Sequence, residues 1–165
     1  MSAHLTEKEA PVFAGAALKK LEALYPQFPT KQACLLPALW IIMEERGWVS
    51  PQSMAEVADI LGLTPAYVKG VVTFYTMYYQ HPMGRHVIQV CRNLSCSLLG
   101  AREMIRHIEE RIGASVGETT ADGRYSLLTV ECLGSCGTAP MMQVNDDYHE
   151  NLTRERVDAL LAEMK

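Results

Sequence analysis

The chain has 165 residues, of which 48% are apolar and 21% charged, and a net charge of −4. That is enough chain to bury a core, and the apolar content excludes disorder for the bulk of it. The small negative charge gives no electrostatic basis for binding nucleic acid or an anionic membrane surface.

In MSAHLTEKEAPVFAG, at the N-terminus, no basic stretch precedes an apolar one, so no secretory signal is expected. The longest apolar run, residues 33–43, is too short to span a bilayer and contains Pro37. A cytoplasmic protein with no direct membrane insertion is the expectation. Five cysteines in a reducing compartment point to metal or redox chemistry rather than structural disulfides.

The first eighty residues carry helical periodicity. One stretch runs from about Pro11 to Leu24. A second runs from about Lys31 to Arg46, stops at Gly47, and has either a kink at Pro37 or a late start near Leu36. Ser53 and Glu56 form a capping-box pattern for a third helix that ends at Gly62. Thr64 and Pro65 open a fourth, which extends to about Tyr75. Phe74, Tyr75, Tyr78 and Tyr79 crowd the end of this region. A helix can turn only part of such a run inward, so at least one or two of Tyr75, Tyr78 and Tyr79 are expected to be exposed for a partner, with burial of all four aromatics in the core as the alternative.

Residues 81–84, HPMG, mark a boundary between a helical domain, 1–80, and a second domain, 85–165. Beyond it, residues 85–91 predict a strand. SLLGAREMIRHIEERIG predicts one helix ending at Gly113, with Leu98, Ala101, Ile105, Ile108 and Ile112 as its stripe. Two more strands, YSLLTVEC and MMQVND, are followed by a turn at Asp146 and Asp147. A last helix is capped by Thr153, with Leu152 and Val157 as its staple. The class is α+β: a helical bundle, then a β-α-β-β-α unit with helices on one face of a sheet.

Within that unit Cys91 and Cys96 form a C-x4-C pair, and Cys132 and Cys136 a C-x3-C pair, with thirty-five residues between the pairs. Each pair directly follows a predicted strand, so two neighbouring strands would deliver four thiols to one place. Structural zinc sites usually use the tighter C-x2-C knuckle, whereas a [2Fe–2S] cluster takes two ligands on each iron. Zinc, and inert or disulfide-bonded thiols, stand as alternatives. The absence of histidine from both loops argues against a Rieske-type site, and His4, His81, His86, His107 and His149 fit surfaces or helix faces. A cluster anion needs donors without competing carboxylates. Gly134, Ser135, Gly137 and Thr138, the helix after Cys96, and Arg92 and Asn93 are expected to supply them. Cys34, alone on an apolar helix, is expected to be an inert core residue.

VCRNLSCSLLGA followed by VECLGSCGTAPMMQVND resembles the thioredoxin-like [2Fe–2S] ferredoxin family. Among its members are the peripheral iron–sulfur subunit of NADH:quinone oxidoreductase (complex I) and the small subunits of NAD-dependent hydrogenases and formate dehydrogenases. GWVSPQSMAEVADILGLTPAYVKGVVTFYTMY resembles the family's helical N-terminal part, so the likeness covers nearly the whole chain. It implies a thioredoxin-like second domain. It also implies ligation of one iron by Cys91 and Cys96 and of the other by Cys132 and Cys136, and a proline at Pro140 of the kind that is often cis. The implied role is electron transfer within an NADH dehydrogenase, next to a flavoprotein that holds FMN and NADH. The larger iron–sulfur subunit is a further implied neighbour, and the complex would place the chain peripherally on the inner membrane face. In the first loop, Arg92-Asn93-Leu94-Ser95 departs from the threonines and proline frequent in the family.

Two other functions compete. MAEVADILGLTPAYVKGVV has the outline of a DNA-binding helix-turn-helix, which would suit an iron–sulfur redox sensor, but its second helix offers only Lys69 as a cation. Thiol exchange of the thioredoxin type would call for C-x-x-C, which neither pair has. No G-x-G-x-x-G loop follows a strand, so the chain itself is not expected to bind a dinucleotide or to hold a complete active site.

Overall fold

A computed structural model describes residues 9–164. The chain divides into two compact units between Pro82 and Met83. His4 lies outside the described residues.

The first unit is helical. Helix α1 spans Gly15–Glu22, and its start is later than the apolar periodicity predicts. The N–H groups of Val12 and Phe13, which precede it, are accepted by the Glu56 carboxylate at 2.9 and 2.8 Å. A 3-10 turn, Lys31–Cys34, leads into α2, Leu35–Arg46, so Pro37 sits in the first turn, where a missing N–H costs nothing, and the late start holds. Helix α3 spans Pro51–Leu61 and is capped by Ser50, whose hydroxyl accepts the Ser53 N–H at 3.0 Å. The expected cap at Ser53 is therefore corrected: Pro51 presets the first turn, Ser53 is buried, and Glu56 is committed to Val12 and Phe13. Helix α4, Pro65–Phe74, begins as expected, with Thr64 accepting the Tyr67 N–H at 3.2 Å.

Leu21, Leu39, Ile42, Val49, Val57, Val68 and Val72 form the core of this unit. Tyr78 belongs to it as well: it is buried, it donates its hydroxyl to the Leu36 carbonyl at 3.0 Å, and its ring meets Trp40 edge-on. Tyr75 and Tyr79 are half-buried, and the exposed member of the aromatic run is Phe74. The expectation of an outward-facing tyrosine is thus corrected for Tyr78, because the chain leaves the helix at Tyr75 and the helical geometry behind that expectation ends there.

Among the described residues no single helix is long and apolar enough to cross a membrane. Helices α3 and α4 are apolar enough only when taken together, but they bend by 119° at their junction and share one core.

The second unit is a four-stranded sheet in the order β2-β1-β3-β4. Strand β1 is His86–Cys91, β2 Tyr125–Val130, β3 Met142–Val144 and β4 Asp147–His149. Strands β1 and β2 run parallel, in register from His86 opposite Tyr125 to Cys91 opposite Val130. Strand β3 pairs antiparallel with β1, and β4 with β3. The predicted turn before the last helix is instead a two-residue hairpin, Asn145-Asp146, and β4 is an additional strand.

The single predicted helix after β1 is two: α5, Leu94–Leu98, and α6, Ala101–Ile112. Gly100 separates them with φ +97°, a conformation L side chains avoid. Helix α6 and the last helix, α7, Arg154–Glu163, pack Met104, Ile108 and Val157 against Ile88, Val90, Leu127, Met142 and Val144. Ile88 and Val90 share one face through the two-residue strand period. His107 bonds Asp158 at 2.9 Å, tying α6 to α7.

Candidate metal centre

The parallel register of β1 and β2 builds the site. Both strands end at the same edge, so the residues after Cys91 and those after Val130 leave side by side. Cys91 is the last residue of β1 and Cys96 lies inside α5; both are buried, in a small core with Ala101 and Met141. Cys132 and Cys136 are exposed, with their sulfurs 3.3 Å apart. All four are free thiols. Cys96 feels the thiols of both Cys91 and Cys136, and Cys136 feels that of Cys91, so the two pairs are neighbours. Among the described residues no three His, Cys, Asp or Glu side chains converge on one ion-sized sphere. The thiols are arranged as two pairs.

The expected donors divide. The Gly134 N–H points at the Cys132 sulfur at 3.4 Å, presented by a backbone at φ +86° that suits glycine. It is the main cause holding the Cys132 thiol below its ordinary pKa, helped by the neighbouring Cys136 thiol. Cys136 is pushed up, chiefly by its contact with Cys132. Burial raises Cys96, followed by its bond with Cys91.

The other expected donors are spent elsewhere. Arg92 donates from Nε and Nη2 to Glu131 at 3.1 and 2.8 Å, and Asn93 donates to the same carboxylate at 3.2 Å. Those bonds tie the first loop to the second. The hydroxyls of Ser135 and Thr138 both donate to Glu150, Thr138 at 2.6 Å. The environment expected to lack carboxylates therefore has two, each neutralising side-chain donors next to a thiol loop. The helix expected to begin after Cys96 begins at Ala101, since Cys96 is itself helical.

Three further residues brace the second loop. Tyr148 donates its hydroxyl to the Leu133 carbonyl at 2.8 Å, and the N–H groups of Asn151 and Leu152 donate to the carbonyls of Thr138 and Pro140. All come from β4 or just beyond, the strand missed in the sequence. The signal was Asn145-Asp146 between two short alternating runs, a hairpin pattern. The Ala139–Pro140 bond is cis. Cys34 belongs to the helical unit, is buried, and donates weakly to the Thr30 carbonyl.

A mixed sheet with flanking helices, carrying free thiol pairs where its two parallel strands end, defines a thioredoxin-like protein equipped for metal rather than for disulfide exchange. The chain belongs to the family Thioredoxin-like [2Fe-2S] ferredoxin, which it matches over residues 20–165, and its cofactor is a [2Fe–2S] cluster. It is 44% identical over 143 residues to an NADH-quinone oxidoreductase subunit of Rhizobium meliloti, covering 87% of this chain and 85% of the relative. It is 43% identical over 148 residues to "NADH-quinone oxidoreductase subunit 2" of Thermus thermophilus, covering 88% and 82%. Among solved structures an NAD+-reducing [NiFe]-hydrogenase aligns with TM-score 0.68 and 25% identity, over 79% of this chain but 22% of the hydrogenase chain. The donor set fits the cofactor: four free thiols in two pairs, with a backbone N–H aimed at sulfur.

Proposed function

We propose that this chain is the electron-transfer subunit of an NADH:quinone oxidoreductase, with Cys91, Cys96, Cys132 and Cys136 as the four ligands of its [2Fe–2S] cluster. The observation that carries the reading is the emergence of both thiol pairs from neighbouring parallel strands at one sheet edge. When bound, the cluster supplies one-electron transfer. The chain contributes the rest. Cys91 and Cys96 offer thiols fixed by the core, Cys132 and Cys136 offer thiols open to solvent, and the Gly134 N–H gives a hydrogen bond to sulfur.

Hydride chemistry belongs to a partner flavoprotein holding FMN and NADH, and this chain carries no complete active site of its own. Leu94, Leu98 and Leu99 are 71%, 78% and 58% exposed around Cys96, an apolar surface next to the thiols that suits a partner protein. Through that partner the chain would be held peripherally at the membrane.

The test is direct. The chain made in iron-replete cells should contain about two iron and two acid-labile sulfide per molecule. Cys132→Ser should reduce both sharply, and Cys34→Ala should leave them unchanged. Stoichiometric zinc in a colourless protein would overturn the ligand assignment. NADH should not bleach the isolated chain. The likeness to the hydrogenase supports a second reading, a small subunit of an NAD-dependent hydrogenase, and the proteins that co-purify distinguish the two.

A further inference from the structure

In the loop from Cys132 to Cys136, Leu133 packs against the small core of Cys91, Cys96, Ala101 and Met141, while Gly134 and both cysteines are exposed and Ser135 is half-buried. Around Cys136 its polar contacts come from β4 and the residues that follow. Glu150 Oε1 accepts hydrogen bonds from both Ser135 and Thr138, whose hydroxyls also lie 2.7 Å from each other. Ser135 and Thr138 flank Cys136, so one carboxylate oxygen fixes the backbone on both sides of a thiol. Tyr148 holds the carbonyl of Leu133, the residue after Cys132, and the Asn151 N–H holds that of Thr138.

We propose that Glu150 is a positioning residue for the Cys132–Cys136 loop and that its negative charge lowers the reduction potential of the cluster held there. The proposal rests on the ligand assignment given above. A cluster with four thiolates becomes more negative on reduction, and a fixed anion hydrogen-bonded to the residue before a ligand opposes that change. Hydrogen bonding from two hydroxyls keeps Glu150 ionised, as does the charge of Arg156. Tyr148 contributes to the same clamp without charge, which separates the two effects.

The experiment uses the full chain with its cluster and three variants. Glu150→Gln keeps an oxygen that can accept both hydroxyls but removes the charge. Its midpoint potential, measured by spectroelectrochemical titration, should move upward while iron content stays at the wild-type level. Tyr148→Phe should leave the potential in place but speed iron loss to a chelator severalfold. Glu150→Ala should show both changes. An unmoved potential in Glu150→Gln overturns the electrostatic role, and unchanged iron loss in both Glu150→Ala and Tyr148→Phe overturns the positioning role. Full iron content in Cys136→Ser would show instead that the ligand assignment is wrong, and the role of Glu150 would fall with it.

Discussion

The two thiol pairs present the same chemistry on different ground. Cys91 and Cys96 are each 2% exposed and are held by packing, one at the end of a central strand and the other inside a helical turn against Ala101 and Met141. Cys132 and Cys136 are exposed and are held by hydrogen bonds that reach in from β4 and beyond. The first pair cannot shift without disturbing a core, whereas the sulfurs of the second face solvent and their loop depends on polar contacts as well as on Leu133.

The largest expected effect that sharpens this contrast comes from serine substitution. Cys91→Ser and Cys132→Ser should each abolish most iron binding. In the metal-free chain, only Cys91→Ser should also reduce folding stability, by about 1–3 kcal/mol, because it buries a hydroxyl among apolar groups. Urea unfolding of both variants checks this, and equal midpoints would remove the distinction. A second measurement is alkylation of the metal-free chain, read by peptide mass spectrometry. Cys132 and Cys136 should be labelled faster than Cys91, Cys96 and Cys34, by on the order of tenfold or more, since access limits the buried thiols. Uniform labelling would mean the first pair is not protected.

A smaller effect concerns the link between the loops. Arg92→Ala breaks an exposed ion pair with Glu131, with side chains 60% and 68% accessible. The loss of stability should be about 0.2–1 kcal/mol and should shrink in high salt. The smallest effect is pH-dependent. The hydrogen bonds from Ser135 and Thr138 hold the Glu150 carboxyl below its ordinary pKa in the folded chain. The folded state therefore favours the ionised form. Its contribution is present above the ordinary carboxylate value and is lost as pH falls through the lowered one. The stability difference between wild type and Glu150→Gln, both metal-free, should thus be seen at neutral pH and vanish in acid.

Much of this molecule was legible because its signals are local. Gly47, Gly62 and Gly113 end the helices they were expected to end, and Thr64 and Thr153 cap the ones they were expected to cap. The spacing of the cysteines after strands exposed the thiol pairs for the same reason. What stayed hidden depends on distance along the chain. Glu56 reaches back across forty-four positions to Val12, and Glu150 reaches twelve positions to Thr138; neither partner can be read from its neighbours. Ser53 looked like a cap because the pattern around it was right, but Ser50 with Pro51 offered the same service one turn earlier. The tyrosines at the end of α4 were judged by helical angles in a segment where the helix has already stopped.

The parallel pairing that runs unbroken from His86 opposite Tyr125 to Cys91 opposite Val130 also bears on how such a gene can vary. The stretch between those strands, residues 92–124, begins and ends at fixed points, and its Gly117–Thr120 part is itself hydrogen-bonded to Tyr125–Leu127. A single codon gained or lost inside residues 125–130 would slide everything downstream by about 3.3 Å and turn each side chain to the opposite face. Cys132 would then arrive out of step with Cys91, every residue at the site still present but no longer in line.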